Sequence, residues 1–143
     1  MPYTMTIRRA ASLAFVVCAF LSQPSWLQAQ GAVAGYPDLS PVEARETIAK
    51  RAGDPRFVLL DVRTPKEFNE ERIAGAVMVD YLSPAFRDAM AKLDREKTYL
   101  VYCRTGSRSK GALKEMRELG FRHVLHLATG ITKWKEAGYP TAR

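Results

Sequence analysis

Cysteine is nearly missing from this chain, with Cys18 and Cys103 the only two in 143 residues. Two thiols cannot staple a small scaffold, so a disulfide framework is excluded. Nine glycines and eight prolines exclude a collagen-like or Pro/Gly-rich low-complexity chain. No period of repeat length recurs, which excludes a solenoid. The main apolar run, Ala10 to Leu21, has 12 residues, whereas a membrane-spanning helix needs about 20. What is present, 47% hydrophobic and 26% charged residues, suits a single globular domain with its own core.

The first 29 residues read as an export signal. Arg8 and Arg9 form a basic n-region, Ala10 to Leu21 an apolar core, and Ser22 to Ala29 a more polar tail ending in a small residue. A cleaved signal is therefore expected rather than a stable membrane anchor, and a periplasmic or secreted location follows. Removing residues 1–29 takes away two arginines and no acids, leaving 114 residues with a net charge of +5. Those charges are interleaved with acids, and no Lys/Arg run or aromatic–basic stripe occurs. The chain reads as a mixed solvated surface and not as a nucleic-acid binder. Cys18 leaves with the signal, which makes Cys103 the sole thiol. It pairs with another chain, stays buried and inert, or is reactive.

Residues 30–38 read as a flexible lead-in and 39–143 as the domain. Ser40, Pro41 and Glu43 have the spacing of a capped helix start, and that helix is expected to run to about Arg51. Phe57 to Leu60 is a short apolar run that fits a strand buried on both faces; it leads into Asp61-Val62-Arg63. Thr64-Pro65-Lys66-Glu67 repeats the cap, proline and acid of a helix start. Ala76 to Val79 reads as a second strand, and Ser83-Pro84 as the opening of a helix through about Leu93. Thr98 to Tyr102 reads as a third strand that runs directly into Cys103. A helix from Ser107 carries Ala112, Leu113, Met116 and Leu119, Val124 to Leu127 forms a further strand, and a last helix includes Ile131 and Trp134. Strands alternating with helices predict an α/β fold with a parallel sheet covered on both faces. In such sheets ligands bind at the carboxyl ends of the strands, where Asp61 and Cys103 stand.

The segment Cys103-Arg104-Thr105-Gly106-Ser107-Arg108-Ser109 joins a buried strand to a helix. Small residues and Gly106 let the backbone curl so that successive N–H groups point inward as an anion-binding nest. The helix start behind the loop and the guanidinium groups of Arg104 and Arg108 add positive charge. A cysteine there is expected to be largely thiolate, the nucleophilic form. A buried structural cysteine would account for the thiol but not for the arginines, the glycine or the strand–loop–helix setting.

From Leu39 to the end the chain resembles a single rhodanese-like domain. The resemblance rests on VLLDVRTPKEF at Val58–Phe68, IAGAVMV at Ile73–Val79, YCRTGSRS at Tyr102–Ser109 and GITKWKEAGYP at Gly130–Pro140. With the export signal it looks like the small periplasmic rhodaneses. The resemblance implies a five-stranded parallel sheet with helices on both faces, and a sulfurtransferase that works through a Cys103 persulfide. It implies a small anionic donor such as thiosulfate, an acceptor such as cyanide, a small thiol or a protein thiol, and neither metal nor organic cofactor. The backbone from Arg104 to Ser109 is expected to hold the sulfur, and Arg104 and Arg108 to bind the donor anion. The loop from Cys103 to Arg108 has six members, one fewer than in the related phosphatases of the same fold, which favours a single sulfur atom over a phosphate. Glu71-Arg72 and Thr129-Gly130 stand where many members have Gly-His and Gly-Gly.

Asp61 and Arg63 are read as a supporting ion pair at the neighbouring strand end. His123 and His126 are taken to lie on opposite faces of a strand, as ordinary surface or packing residues with no metal between them. Tyr102 is placed beneath the loop. No segment reads as an obligate interface, so a monomer is expected. Two other functions use the same thiolate: a persulfide carrier or redox module serving a protein partner, and a phosphatase or oxyanion reductase.

Overall fold

The computed structural model describes residues 35–143. The expected export signal and the first part of the lead-in lie outside the described residues. In chain order the elements are β1 (Asp38–Leu39), α1 (Pro41–Lys50), β2 (Phe57–Asp61), α2 (Pro65–Glu70), β3 (Val77–Met78), α3 (Phe86–Ala91), β4 (Thr98–Tyr102), α4 (Ser107–Glu118), β5 (Val124–Leu127) and α5 (Gly130–Glu136). The strands form one sheet in the order β1-β5-β4-β2-β3, with every pair parallel. These are the five parallel strands, with helices on both faces, that the resemblance implies.

The local starts are set by short-range chemistry. Both α1 and α2 open with a reciprocal capping box, Ser40 with Glu43 and Thr64 with Glu67, followed by a proline at the first helical position. The cap satisfies backbone N–H groups that the first turn would otherwise leave unpaired. The segment after Ser83-Pro84 differs from the sequence reading: α3 starts at Phe86, and its cap position, Ala85, supplies no side-chain bond. Pro84 sits instead in the turn closed by the Phe86 N–H to Ser83 carbonyl bond, 3.0 Å.

Period-two alternation along β2 and β4 divides the core in two. Leu60, Val62, Tyr99, Val101 and Cys103 join Phe86, Met90, Ala112 and Met116 on the α3/α4 face. Leu59, Leu100 and Tyr102 join Ala44, Ile131 and Trp134 on the α1/α5 face. Leu60 and Leu100 have no exposed surface, so truncating either to alanine costs about 2–5 kcal/mol. Cys103 thus enters its loop from the α3/α4 core, one residue beyond the end of the central strand.

The lead-in does not extend to residue 38. Asp38 and Leu39 pair with His126 and Leu127 as an edge strand, and the Pro37 carbonyl accepts from the His126 N–H at 2.9 Å. Two strand residues beside a proline carry too little pattern to be recognised from sequence. Their place matters for the site.

Candidate active site

The loop is shaped by where its carbonyls go. The Cys103 carbonyl accepts from the Ile131 N–H at 2.9 Å, and the Arg104 carbonyl from the Thr132 N–H at 3.1 Å and the Thr132 hydroxyl at 2.9 Å. With these two oxygens turned to the start of α5, the following N–H groups face the sulfur. Gly130 permits the approach: a Cβ there would overlap the Cys103 and Arg104 carbonyls, and its φ is 63°. Thr129 beside it makes no side-chain cap bond, so the departure from Gly-Gly leaves the glycine that contacts the loop in place. Gly106 is held at φ 100°, and a Cβ on it would overlap the Ala128 carbonyl oxygen. No other residue type fits that position without moving backbone.

Cys103 is a free thiol, buried with 1% of its surface exposed. The Gly106 N–H donates to its sulfur at 3.1 Å, and the Ser109 hydroxyl lies 3.4 Å away. Burial alone pushes the thiol up. The Ser109 hydroxyl and the N–H groups of Ser109, Gly106 and Thr105 outweigh it, so the thiol is held below its ordinary range. The arrangement therefore stabilises a buried anion with hydrogen bonds, the chemistry a nucleophilic thiolate needs. Of the other loop residues, Thr105 and Ser107 are exposed at the rim.

The two loop arginines part company. Arg108 does not present a free guanidinium for a donor anion, contrary to the sequence expectation. Its two terminal nitrogens bind Glu67 at 2.7 and 2.8 Å. Chiefly because of Arg108, the Glu67 carboxyl is held down at about 2, so the pair stays ionised throughout the neutral range. Glu67 also caps α2 through Thr64, and the ion pair thereby ties α2 to the loop. Arg104 is exposed and takes part in none of the ion pairs among the described residues. It lines a groove of about 530 Å³ together with Arg63, Glu67, Glu71, Thr132 and Lys135.

Asp61 and Arg63 form a buried pair, with contacts of 3.0, 3.0 and 2.6 Å. The guanidinium also donates to the Glu71 carbonyl at 2.6 Å. It lies 5.7 Å from the centre of the Tyr102 ring, whose hydroxyl accepts from the Ile73 N–H at 3.1 Å. Tyr102 belongs to the α1/α5 core, so it lies across the sheet from the Cys103 side. Burial pushes its hydroxyl up, with Asp61 adding to the effect. This cluster joins β2 to the segment after α2 and forms one wall of the groove. Arg72, where many members have histidine, lies over the Phe68 ring at 4.8 Å, and its backbone pairs with Ala142.

One buried polar group is hidden from the sequence. His126 is not an ordinary surface or packing residue: its side chain is 1% exposed, and both ring nitrogens are bonded. Nε2 is 2.7 Å from the Ser109 hydroxyl and Nδ1 2.7 Å from Asp38 Oδ1. His123 lies just before β5 and is exposed. A histidine inside an otherwise apolar strand was the available signal. Its partners, however, lie 17 and 88 residues away.

Comparison with known proteins agrees with this geometry. A family model described as rhodanese-like domain matches residues 44–137. Over 108 residues the chain is 37% identical to the thiosulfate sulfurtransferase GlpE of Coxiella burnetii, covering 75% of this chain and 94% of that one. An uncharacterized protein of Synechocystis, slr1261, is 34% identical over 102 residues, 70% of this chain and 55% of its own length. The chain thus spans about half of that relative, and only 22% of a longer mycobacterial one. The crystal structure of a rhodanese-related protein from Thermoplasma volcanium superposes with a TM-score of 0.63 at 30% identity, covering 75% of this chain and 98% of that one.

Proposed function

The chain belongs to the rhodanese-like domain family, and on that footing we propose that it is an exported sulfurtransferase acting through a persulfide on Cys103. The observation that carries this reading is a buried sulfur facing the N–H groups of a six-residue loop, Cys103 to Arg108, and held by hydrogen bonds. Such a ring of donors suits one anionic sulfur atom at the position of a sulfane sulfur.

In the first half-reaction the Cys103 thiolate attacks the outer sulfur of an anionic donor such as thiosulfate. The new S–S bond forms as the donor's S–S bond breaks, and sulfite leaves with the electron pair. The loop N–H groups of Thr105, Gly106 and Ser109 stabilise the persulfide charge, and no acid is needed to expel sulfite. In the second half-reaction a thiophilic acceptor, cyanide or a thiol, takes the outer sulfur and returns the Cys103 thiolate. The cycle is ping-pong and uses neither metal nor organic cofactor. Arg104 is the group that reads the donor's negative charge, while Arg108, Asp61 and Arg63 hold the loop and groove in shape. The domain acts as a monomer in the periplasm or outside the cell.

A carrier that delivers sulfur to a protein thiol is the second reading, favoured by the exposed, mixed-charge groove beside the loop. The two are separated by incubating the mature protein with thiosulfate and cyanide and measuring thiocyanate, beside a phosphoester substrate and a Cys103→Ser control. Turnover to thiocyanate without phosphoester hydrolysis is expected. Phosphoester hydrolysis that depends on Cys103 would overturn the assignment.

A further inference from the structure

Beyond the loop itself, a continuous hydrogen-bonded chain runs from the Cys103 sulfur to the protein surface. Ser109 Oγ lies 3.4 Å from the sulfur, 3.0 Å from the Gly106 carbonyl and 2.7 Å from His126 Nε2. His126 Nδ1 lies 2.7 Å from Asp38 Oδ1, and the Asp38 side chain is 63% exposed. Counting protons along this chain limits its states. An ionised carboxylate only accepts, so Nδ1 carries a hydrogen toward Asp38. Ser109 has a single hydroxyl hydrogen to share among three neighbours.

Two arrangements remain. With Nε2 bare, the Ser109 hydroxyl donates to the ring and turns a lone pair to the sulfur, where it can accept from a thiol. With Nε2 protonated, the ring donates to Ser109, and the hydroxyl hydrogen is free to turn to a thiolate. We propose that Asp38, His126 and Ser109 form a proton relay for Cys103, in which His126 takes up the thiol proton through the Ser109 hydroxyl. The balance is closed. The S–H bond breaks as a hydrogen bonds to Oγ, the former O–H bond breaks as its hydrogen bonds to Nε2, and a thiol and neutral imidazole become a thiolate and imidazolium. Asp38 Oδ1 accepts from Nδ1 and faces the ring charge at 2.7 Å. His126 is a positioning residue, because it acts on the sulfur only through Ser109.

The charged groups around the relay are few in kind. Asp38 comes from β1, Cys103 from the end of β4, and Arg108 from α4 lies within coulombic reach of the sulfur. The residue of β4 in register with His126 is the apolar Val101. Arg108 and its partner Glu67 remain ionised across the neutral range, so the charge they place near the sulfur is constant there.

The inference rests on Cys103 being the reactive thiol, but its test needs no sulfur donor. The rate of Cys103 alkylation by iodoacetamide is followed between about pH 5 and 9 in the wild type, His126→Gln and Asp38→Asn. Glutamine keeps a polar partner for Ser109 but cannot take up a proton. The expected result is an upward shift of the alkylation profile in His126→Gln of about one pH unit, a tenfold lower rate on its acidic limb. A smaller shift in the same direction is expected for Asp38→Asn, which changes one exposed side chain on an edge strand. On wild-type protein, 15N chemical shifts of His126 are recorded before and after Cys103 is alkylated at neutral pH. Loss of the Nε2 proton on alkylation supports the relay even if His126→Gln fails to fold. An unchanged His126 signal, or a folded His126→Gln with the wild-type profile, overturns it. A relay that passes this test in a protein that takes no sulfur from thiosulfate would break the proposed reaction and leave the relay standing.

Discussion

On one side of Cys103, Ser109, His126 and Asp38 are linked by bonds of 2.7 Å, and the first two are buried. On the other side Arg104 stands exposed in a groove of mixed charge, about 530 Å³ in volume, with Lys135 and Glu71 already paired to each other at 2.7 Å. The buried side encloses the sulfur and puts a hydroxyl and an imidazole in line behind it. The open side presents charged groups of both signs to solvent. The arginines make the same division within the loop itself, since Arg108 is committed to Glu67 while Arg104 makes no ion pair among the described residues. Positive charge close to a thiolate is therefore not one resource. One guanidinium builds the loop, and the other is available to a ligand.

The strongest way to break this division is to remove the sulfur. Cys103→Ser should take thiocyanate formation to background with the fold intact by circular dichroism; residual turnover would move the nucleophile elsewhere. Next in size is the wall of the groove. Asp61→Ala leaves Arg63 buried without its carboxylate and should lower stability by about 3–5 kcal/mol, read as a shift in the urea midpoint. A change near zero would mean that Arg63 finds another partner. Gly106→Ala should cost about 1–3 kcal/mol through its positive φ, and more where the Ala128 carbonyl must move. Loss of sulfur loading should accompany it.

The two loop arginines should differ in the kind of effect their removal has. Arg104→Ala should raise KM for thiosulfate about tenfold, equivalent to about 1.4 kcal/mol, with little change in stability. Arg108→Ala should instead lower stability, with the loss removed in a Glu67→Gln/Arg108→Ala double variant that leaves no unpaired charge. Equal effects on KM from both would erase the distinction. The smallest effect is in the acid limb. The Glu67 carboxyl is held below its ordinary value of 4.5, at about 2, so the pair's stabilisation is present above about pH 4.5 and is lost as the pH falls toward about 2. Glu67→Gln should therefore flatten that part of the stability–pH curve.

What could be read from the sequence was local. The boxes at Ser40 and Thr64, the apolar runs at Phe57–Leu60 and Thr98–Tyr102, and the Cys103–Ser109 loop announce themselves over a few residues. So the α/β class and the position of the thiol were visible. The second use of Glu67 was not, because the acid that caps α2 meets Arg108 from 41 positions away. His126 is hidden for the same reason. Its strand was legible, but the parallel register that sets it beside Asp38 is made by a two-residue strand with no periodicity to betray it. A chain pattern shows which residues share a face; it does not show which distant groups will share a proton.

The central claim, a sulfur carried on Cys103, is tested most directly by intact-mass analysis of the reduced mature protein after thiosulfate and again after cyanide. A gain of one sulfur atom that cyanide removes, absent from Cys103→Ser, is the predicted result. A loaded protein that cyanide leaves unchanged would move the reaction to a carrier with a protein acceptor. A wild-type mass that never changes, in a protein whose Cys103 still alkylates, would contradict the claim.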